Sequence, residues 1–250
     1  MTGNCKLRLG VIGGLGPLAS ADFYRKITLL TPATKDQDHL SLALLSLPDL
    51  PDRSSAILDQ QDAPLDSLLE AVAMLNAMGV ECIAMPCNTA HHWYGTLTAA
   101  SKADILHIVD SVLADLKERG CGLRVALLAT QGTLASGFYQ SRLMDCGYRI
   151  CLPRGAAFQS RVDSAVALVK AGVLDRALAD LRRAVRYCVE ADADVAILAC
   201  TELSVLSDQL TESSIEVVDS NEALARSSLR RLGIAPFGVT AVSSPTGLIA

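Results

Sequence analysis

Residues Ile83 to Trp93 read IAMPCNTAHHW. A buried apolar run stops at Pro86, and a thiol, an amide and a hydroxyl follow at once as Cys87, Asn88 and Thr89. That order describes a strand entering the turn before a helix. In parallel α/β sheets ligands sit there, because strand ends and helix N-termini converge. The same grammar returns from Val195 to Leu203 as VAILACTEL, so Cys87 and Cys200 occupy equivalent corners 113 residues apart (200 − 87).

Outward from those corners, strands and helices alternate. Arg8 to Ile12 is an apolar strand that runs into GGLGP and a helix from Ala19 to Leu30. Gly14, Gly16 and Ala19 satisfy G-x-G-x-x-A, but the dinucleotide reading needs an acidic residue closing the second strand. That strand, Leu40 to Leu47, is followed first by Asp49, too late for the role. The turn reads instead as a tight glycine loop that lets the backbone approach a small anionic ligand. A Pro-punctuated loop, PDLPDRSS, carries Arg53, and an amphipathic helix follows with Pro64 in its first turn and Gly79 at its end. A fourth apolar run, Ile105 to Val109, ends in Asp110-Ser111.

The pattern then restarts. Arg124 to Ala129 is a strand followed by the turn Thr130, Gly132, Thr133 and a helix through Met144; Arg149 to Leu152 is a short strand; helices span Phe158 to Ala171 and Leu174 to Ala191. After Cys200, a strand from Ile215 to Val218 ends in Asp219-Ser220, and a helix from Asn221 to Leu232 precedes a polar tail expected to be loosely ordered. The offsets between halves drift from 116 (124 − 8) to 109 (219 − 110), as an old duplication with small deletions would leave them. The expected fold is α/β: two pseudo-symmetric lobes, each a parallel four-stranded sheet flanked by helices, with the active site in the cleft between them.

Composition narrows the function classes. A chain of 250 residues, half of them hydrophobic, has enough apolar surface for real cores. Its formal charge is −5 with scattered Lys and Arg, which argues against nucleic acid and membrane partners. No segment approaches the roughly 18 apolar residues of a membrane span, and the N-terminus lacks a sustained apolar run, so the expectation is a cytoplasmic protein. The eight cysteines form no CxxC pair and have no His partner at zinc spacing; free thiols and no metal site are expected. Most are small buried hydrophobes, with Cys87 and Cys200 set apart by position.

A thiol beyond a buried strand and at a helix N-terminus tends towards a lowered pKa. Two such thiols from pseudo-symmetric lobes suit chemistry that is itself nearly symmetric. One removes a proton from a carbon centre and the other returns a proton to the opposite face, which is two-base racemisation.

Six motifs in this order, IGGLGP, PDRS, PCNTAH, the Thr-Gly-Thr turn, LVKAG and ACTEL, cover nearly the whole chain. Together they resemble the aspartate racemase branch of the cofactor-independent aspartate/glutamate racemase superfamily. Glutamate racemases typically carry His where this chain has Glu202; Leu15 stands where Met is usual, and Ser20 and Ser54 where Thr is usual. The resemblance implies lobes of residues 1–103 with 208–250 and of 104–207, the last strand of each sheet exchanged between halves. It also implies a homodimer, no pyridoxal phosphate or other cofactor, and a small acidic amino acid, aspartate or possibly glutamate, as substrate.

On that reading Cys87 and Cys200 are catalytic. Asn88, Thr89 and Thr201 could simply cap helices, but beside the cysteines they are read as donors to the substrate's α-carboxylate, with Thr130 and Thr133 doing similar work. Arg53 and Lys170, from opposing lobes, lie where the family places contacts to the distal carboxylate. His91 would tune Cys87 if it is more than a satisfied helix residue, and Glu202 either orients Cys200 or is a first-turn carboxylate. Other readings stay open: decarboxylation or cis–trans isomerisation on the same fold, a racemase of broad specificity, a regulatory module that binds an amino acid without chemistry, or a redox protein.

Overall fold

The strands form where the sequence is apolar at every position, since both faces of a parallel sheet are covered by helices. In the computed structural model, which describes residues 6–151, 153, 155–210 and 213–238, β1 (Leu9–Gly13) and later β7 (Val195–Ala199) are buried at every residue. The first half runs β1, α1 (Pro17–Leu30), β2 (Leu42–Ser46), α2 (Arg53–Leu58), α3 (Leu65–Met78), β3 (Cys82–Ala84), α4 (Tyr94–Ala100), β4 (Asp104–Ile105) and α5 (Ile108–Arg119). The second runs β5 (Arg124–Ala129), α6 (Gln131–Ser136), α7 (Phe138–Asp145), β6 (Arg149–Ile150), α8 (Ala156–Lys170), α9 (Leu174–Glu190), β7, α10 (Thr201–Ser204), β8 (Glu216–Asp219) and α11 (Ser220–Arg231). All pairings are parallel, and the two sheets repeat one order, β2-β1-β3-β4 and β6-β5-β7-β8. The expected pair of α/β lobes is therefore present, and β3 and β7, which carry Cys87 and Cys200, are equivalent strands.

The expected strand exchange is not seen. β4 completes the first sheet and β8 the second, each in the half that encodes it. The helices after them cross instead: α5 packs on α7 and β8, and α11 packs on α1 and β3. One apolar cluster consequently runs between the sheets, from Leu9 and Phe23 through Val112 and Leu224 to Val125 and Ile197. The limits 1–103 with 208–250 and 104–207 rest on the exchange; residues 239–250 lie outside those described, as do Leu152 at the end of the expected sixth strand and Cys5.

Two local expectations change for the same reason, helix capping. The apolar run Ile105 to Val109 breaks at His107, whose Nδ1 accepts from Val109 N–H at 3.2 Å and caps α5. Its counterpart in the second half is the cap Asp219, which accepts from Asn221 and Glu222, rather than an Asp-Ser pair matched to Asp110-Ser111. Arg53, expected on a loop, opens α2, because Asp52 accepts from Ser55 N–H at 2.8 Å and starts a helix. The tail's described start is docked, with Phe237 N–H donating to Leu30 O at 3.0 Å.

Where α1 meets the N-terminus of α11, Lys26 is buried and donates to Asp22 at 2.6 Å, to Ser204 O at 2.9 Å and to Asp219. A buried ammonium persists only with such partners. The network holds the end of β8 against the first helix, beside the segment that follows Cys200. Among the described residues no helix is long and apolar enough to cross a membrane.

Candidate active site

In each sheet the chain reverses its order beside the first strand, and the crevice outside those strand ends is the natural ligand position. Gly14 leaves β1 there with φ +83, a conformation that favours glycine, and a Cβ would collide with the backbone of Leu47. Cys87 follows β3 and Cys200 follows β7 directly; both are buried and line one small cavity between the lobes. From the first lobe Asp52, Arg53 and Thr89 also face it, and from the second Thr130, Lys170 and Glu202. The space inside is about 20 Å³, the room of about one water molecule. That is less than an amino acid occupies, so the cavity must widen to admit one.

The thiols themselves run against the sequence expectation. Burial pushes Cys87 up, partly offset by the Arg53 charge and reinforced by Glu202. Cys200 is pushed well up by burial and by the Glu202 carboxylate, to which its Sγ donates at 3.0 Å. The helix effect is weak for a structural reason: only a short 3-10 turn (Thr89–Trp93) follows Cys87, and α10 has four residues. Glu202 gets this close because Gly16 leaves space; a Cβ there would lie 2.7 Å from its Oε1.

Arg53 is braced by the carbonyls of Leu50, Pro51 and Leu15 at 3.2, 3.0 and 3.0 Å, and its Nε is buried without a partner among the described residues. Lys170 reaches across the mouth to Asp52, Nζ to Oδ2 3.9 Å, with both side chains half-exposed. The two cations named from sequence thus do face one cavity. Asp52, which sequence reasoning passed over, sits between them; a D-x-x-S pattern was its signal.

The hydroxyls form a lattice between the lobes. Thr89, Thr130 and Thr133 bond in a triangle with edges of 2.9 to 3.0 Å, and Thr201 Oγ1 donates to Pro86 O at 3.0 Å. Thr89 and Thr130 face the cavity; Thr133 and Thr201 are buried beside it and are not part of its lining. Asn88 also lines the cavity, with its amide bonded to partners behind it, donating to Ser220 Oγ at 2.9 Å and accepting from Tyr139 OH at 2.7 Å. His91 bonds the carbonyl of Cys87 at 2.9 Å, not its thiol, and burial lowers its pKa to about 4, so the ring braces the turn in neutral form. Nothing local in the sequence pointed to Tyr139 or Ser220.

Comparison with known proteins agrees with this arrangement. Residues 12–227 match the Asp/Glu/hydantoin racemase family. The chain is 27% identical over 225 residues to the broad specificity amino-acid racemase RacX of Bacillus subtilis (strain 168), covering 88% of this chain and 96% of that one. Among solved structures it superposes on Picrophilus torridus aspartate racemase with TM-score 0.82 and 31% identity, over 92% of this chain and 96% of that one. It matches glutamate racemase from Francisella tularensis subsp. tularensis SCHU S4, solved in complex with D-glutamate, with TM-score 0.62 and 14% identity over 93% and 84% of the two chains, a likeness of fold alone. The chain belongs to the Asp/Glu/hydantoin racemase family and is by that membership a racemase-type isomerase.

Proposed function

We propose that the protein interconverts L- and D-aspartate, with some tolerance for glutamate, by proton transfer between Cys87 and Cys200. The observation that carries the reading is two buried thiols on equivalent strand ends lining one cavity whose mouth holds a cation from each lobe. In one direction the thiolate of one cysteine takes the α-proton and the C–H electron pair remains on the carbon and its carboxylate. The thiol of the other then gives its proton to the opposite face. The protonation states of the pair are exchanged at the end of each turnover, so the same pair serves the reverse reaction.

Each flanking group has a part in this. Glu202 accepts the Cys200 proton hydrogen bond and can hold that proton while the thiolate forms. Arg53 favours the anionic form of Cys87. Thr89 and Thr130, which face the cavity, can turn their hydroxyls from each other to the α-carboxylate when substrate enters. Arg53 and Lys170 would then clamp the distal carboxylate, Lys170 leaving Asp52 to do so. The reading includes a cytoplasmic homodimer acting without pyridoxal phosphate or any other cofactor.

A second reading, a racemase of broad specificity, is favoured by the likeness to RacX. One experiment tests both: single enantiomers of aspartate, glutamate and neutral amino acids in deuterated water with a chelator and a carbonyl-trapping reagent. Deuterium should enter Cα as optical activity decays, fastest with aspartate. Retained chirality with every acidic amino acid refutes the proposal, and equal rates with neutral substrates favour the second reading.

A further inference from the structure

Tyr139 lies fully buried on α7, outside the cavity lining. Its hydroxyl begins a relay that crosses from one lobe to the other. Tyr139 OH donates to Asn88 Oδ1 at 2.7 Å, Asn88 Nδ2 donates to Ser220 Oγ at 2.9 Å, and Ser220 Oγ donates to Leu198 O at 2.7 Å. Its direction is dictated by chemistry. A carbonyl only accepts, so Ser220 commits its one proton to Leu198 and must accept from the Asn88 amide, which turns Oδ1 to Tyr139. Burial raises the Tyr139 phenol, so it keeps the proton it donates.

The relay passes through one catalytic corner and ends beside the other. Asn88 adjoins Cys87, and Leu198 is the second residue before Cys200 on β7. Asn88 precedes the turn Thr89–Trp93, yet its side chain makes no capping bond; it reaches across the interface instead. All members of the relay are buried, whereas the Lys170–Asp52 contact at the mouth is half-exposed.

We propose that Tyr139 is a positioning residue for the racemisation: acting through Asn88 and Ser220, it fixes the Cys87 turn against the strand that carries Cys200. The inference rests on the function proposed above. Two thiols must reach opposite faces of one carbon, and displacements of about 1 Å at a reacting group are costly. The substrate's carboxylates are held by other residues, so the relay governs the chemical step and leaves binding nearly unchanged.

The test is to measure kcat and KM for both enantiomers of aspartate in wild type, Tyr139→Phe, Ser220→Ala and the double variant, with folding checked by thermal melting. We expect kcat to fall about tenfold or more in each single variant with KM within about twofold, and the double to lose no more than the worse single, because both act through Asn88. A purely structural role would lower the melting temperature without this split between kcat and KM. Wild-type kcat in folded Tyr139→Phe, or in Ser220→Ala should the first not fold, overturns the inference, as does multiplication of the two losses. Wild-type protein that does not racemise aspartate refutes the proposed function itself, whereas an active wild type with unaffected variants refutes only the relay.

Discussion

Replacing Gly132 by alanine places a methyl group where the lobes touch. A Cβ at Gly132 would lie 2.6 Å from Ser54 Cα and 2.9 Å from Ser54 Cβ, and a backbone atom cannot turn aside as a rotamer can. Ordinary contact begins at 3.4 Å, so α2 and α6 must separate by 0.8 Å (3.4 − 2.6) at that point. Such a shift stretches the Thr89–Thr133 contact from 2.9 Å to about 3.7 Å, beyond hydrogen-bond reach. It also draws Arg53, at the start of α2, away from the second lobe, whose Lys170 shares the cavity with it. A displacement near 1 Å at a reacting centre costs about 100-fold in rate, or about 2.7 kcal/mol of transition-state stabilisation. Stability should fall as well, since Gly132 is buried against backbone, and the clash together with the lost Thr89–Thr133 bond, about 1 kcal/mol by itself, opposes the about 0.5–1 kcal/mol that alanine gains over glycine in a helix. The assay is initial racemisation rates with each enantiomer beside thermal melts, with Gly95→Ala as control because a Cβ there meets no atom within 4 Å. A kcat/KM within threefold of wild type in Gly132→Ala would refute the claim that closure of α2 on α6 sets the catalytic geometry.

Cys87→Ala and Cys200→Ala should each abolish racemisation, while Cys82→Ala, which removes a thiol packed in the strand and pushed up to about 12 by burial, should keep most activity; full turnover in either active-site variant would end the two-base reading. Arg53→Ala and Lys170→Ala should each lower kcat/KM for aspartate by roughly ten- to a hundredfold, about 1.5–3 kcal/mol for one charge-assisted contact, and less for alanine or serine if these are accepted; an unchanged kcat/KM for aspartate in both returns them to the solvated surface. Acid should destabilise the fold before the carboxylates titrate normally, because burial lowers His91 to about 4 and His107 to about 2 and raises Asp115 to about 6. Between pH 6 and 4 the unfolded chain holds nearly two imidazole protons that the folded chain largely lacks, whereas folded Asp115 holds up to one proton that the unfolded carboxyl largely lacks. The loss from these three groups is about 1.4 kcal/mol per pH unit, and carboxylates held below their usual range, such as Asp219, add to it at the acid end; it is to be read from urea unfolding at several pH values, and a flat dependence over that window would show that the histidines are not held neutral.

Periodicity and punctuation made much of this protein legible without coordinates. Runs such as Arg124 to Ala129 and Val195 to Ala199 are strands with the bounds read from sequence, because a doubly covered strand must be apolar throughout. The duplication and the twin corners at Cys87 and Cys200 were readable for the same reason, since order along the chain dictates which strand ends become equivalent; Arg53 and Lys170 were reached through the family resemblance alone. What the tertiary structure decided is partner choice. Whether β4 and β8 or the helices after them cross between lobes depends on which apolar faces meet across the molecule, and both arrangements share one local pattern. Asn88 looks like any capping residue until Tyr139 and Ser220 approach from 51 and 132 residues away. Asp22 and Lys26 look like a surface pair on a helix until α11 brings Asp219 over them. The thiols' acidity is the sharpest case: sequence supplied the favourable helix starts, but the extent of burial and the placement of Glu202 against Cys200, made possible by the missing side chain of Gly16, are non-local and reverse the sign.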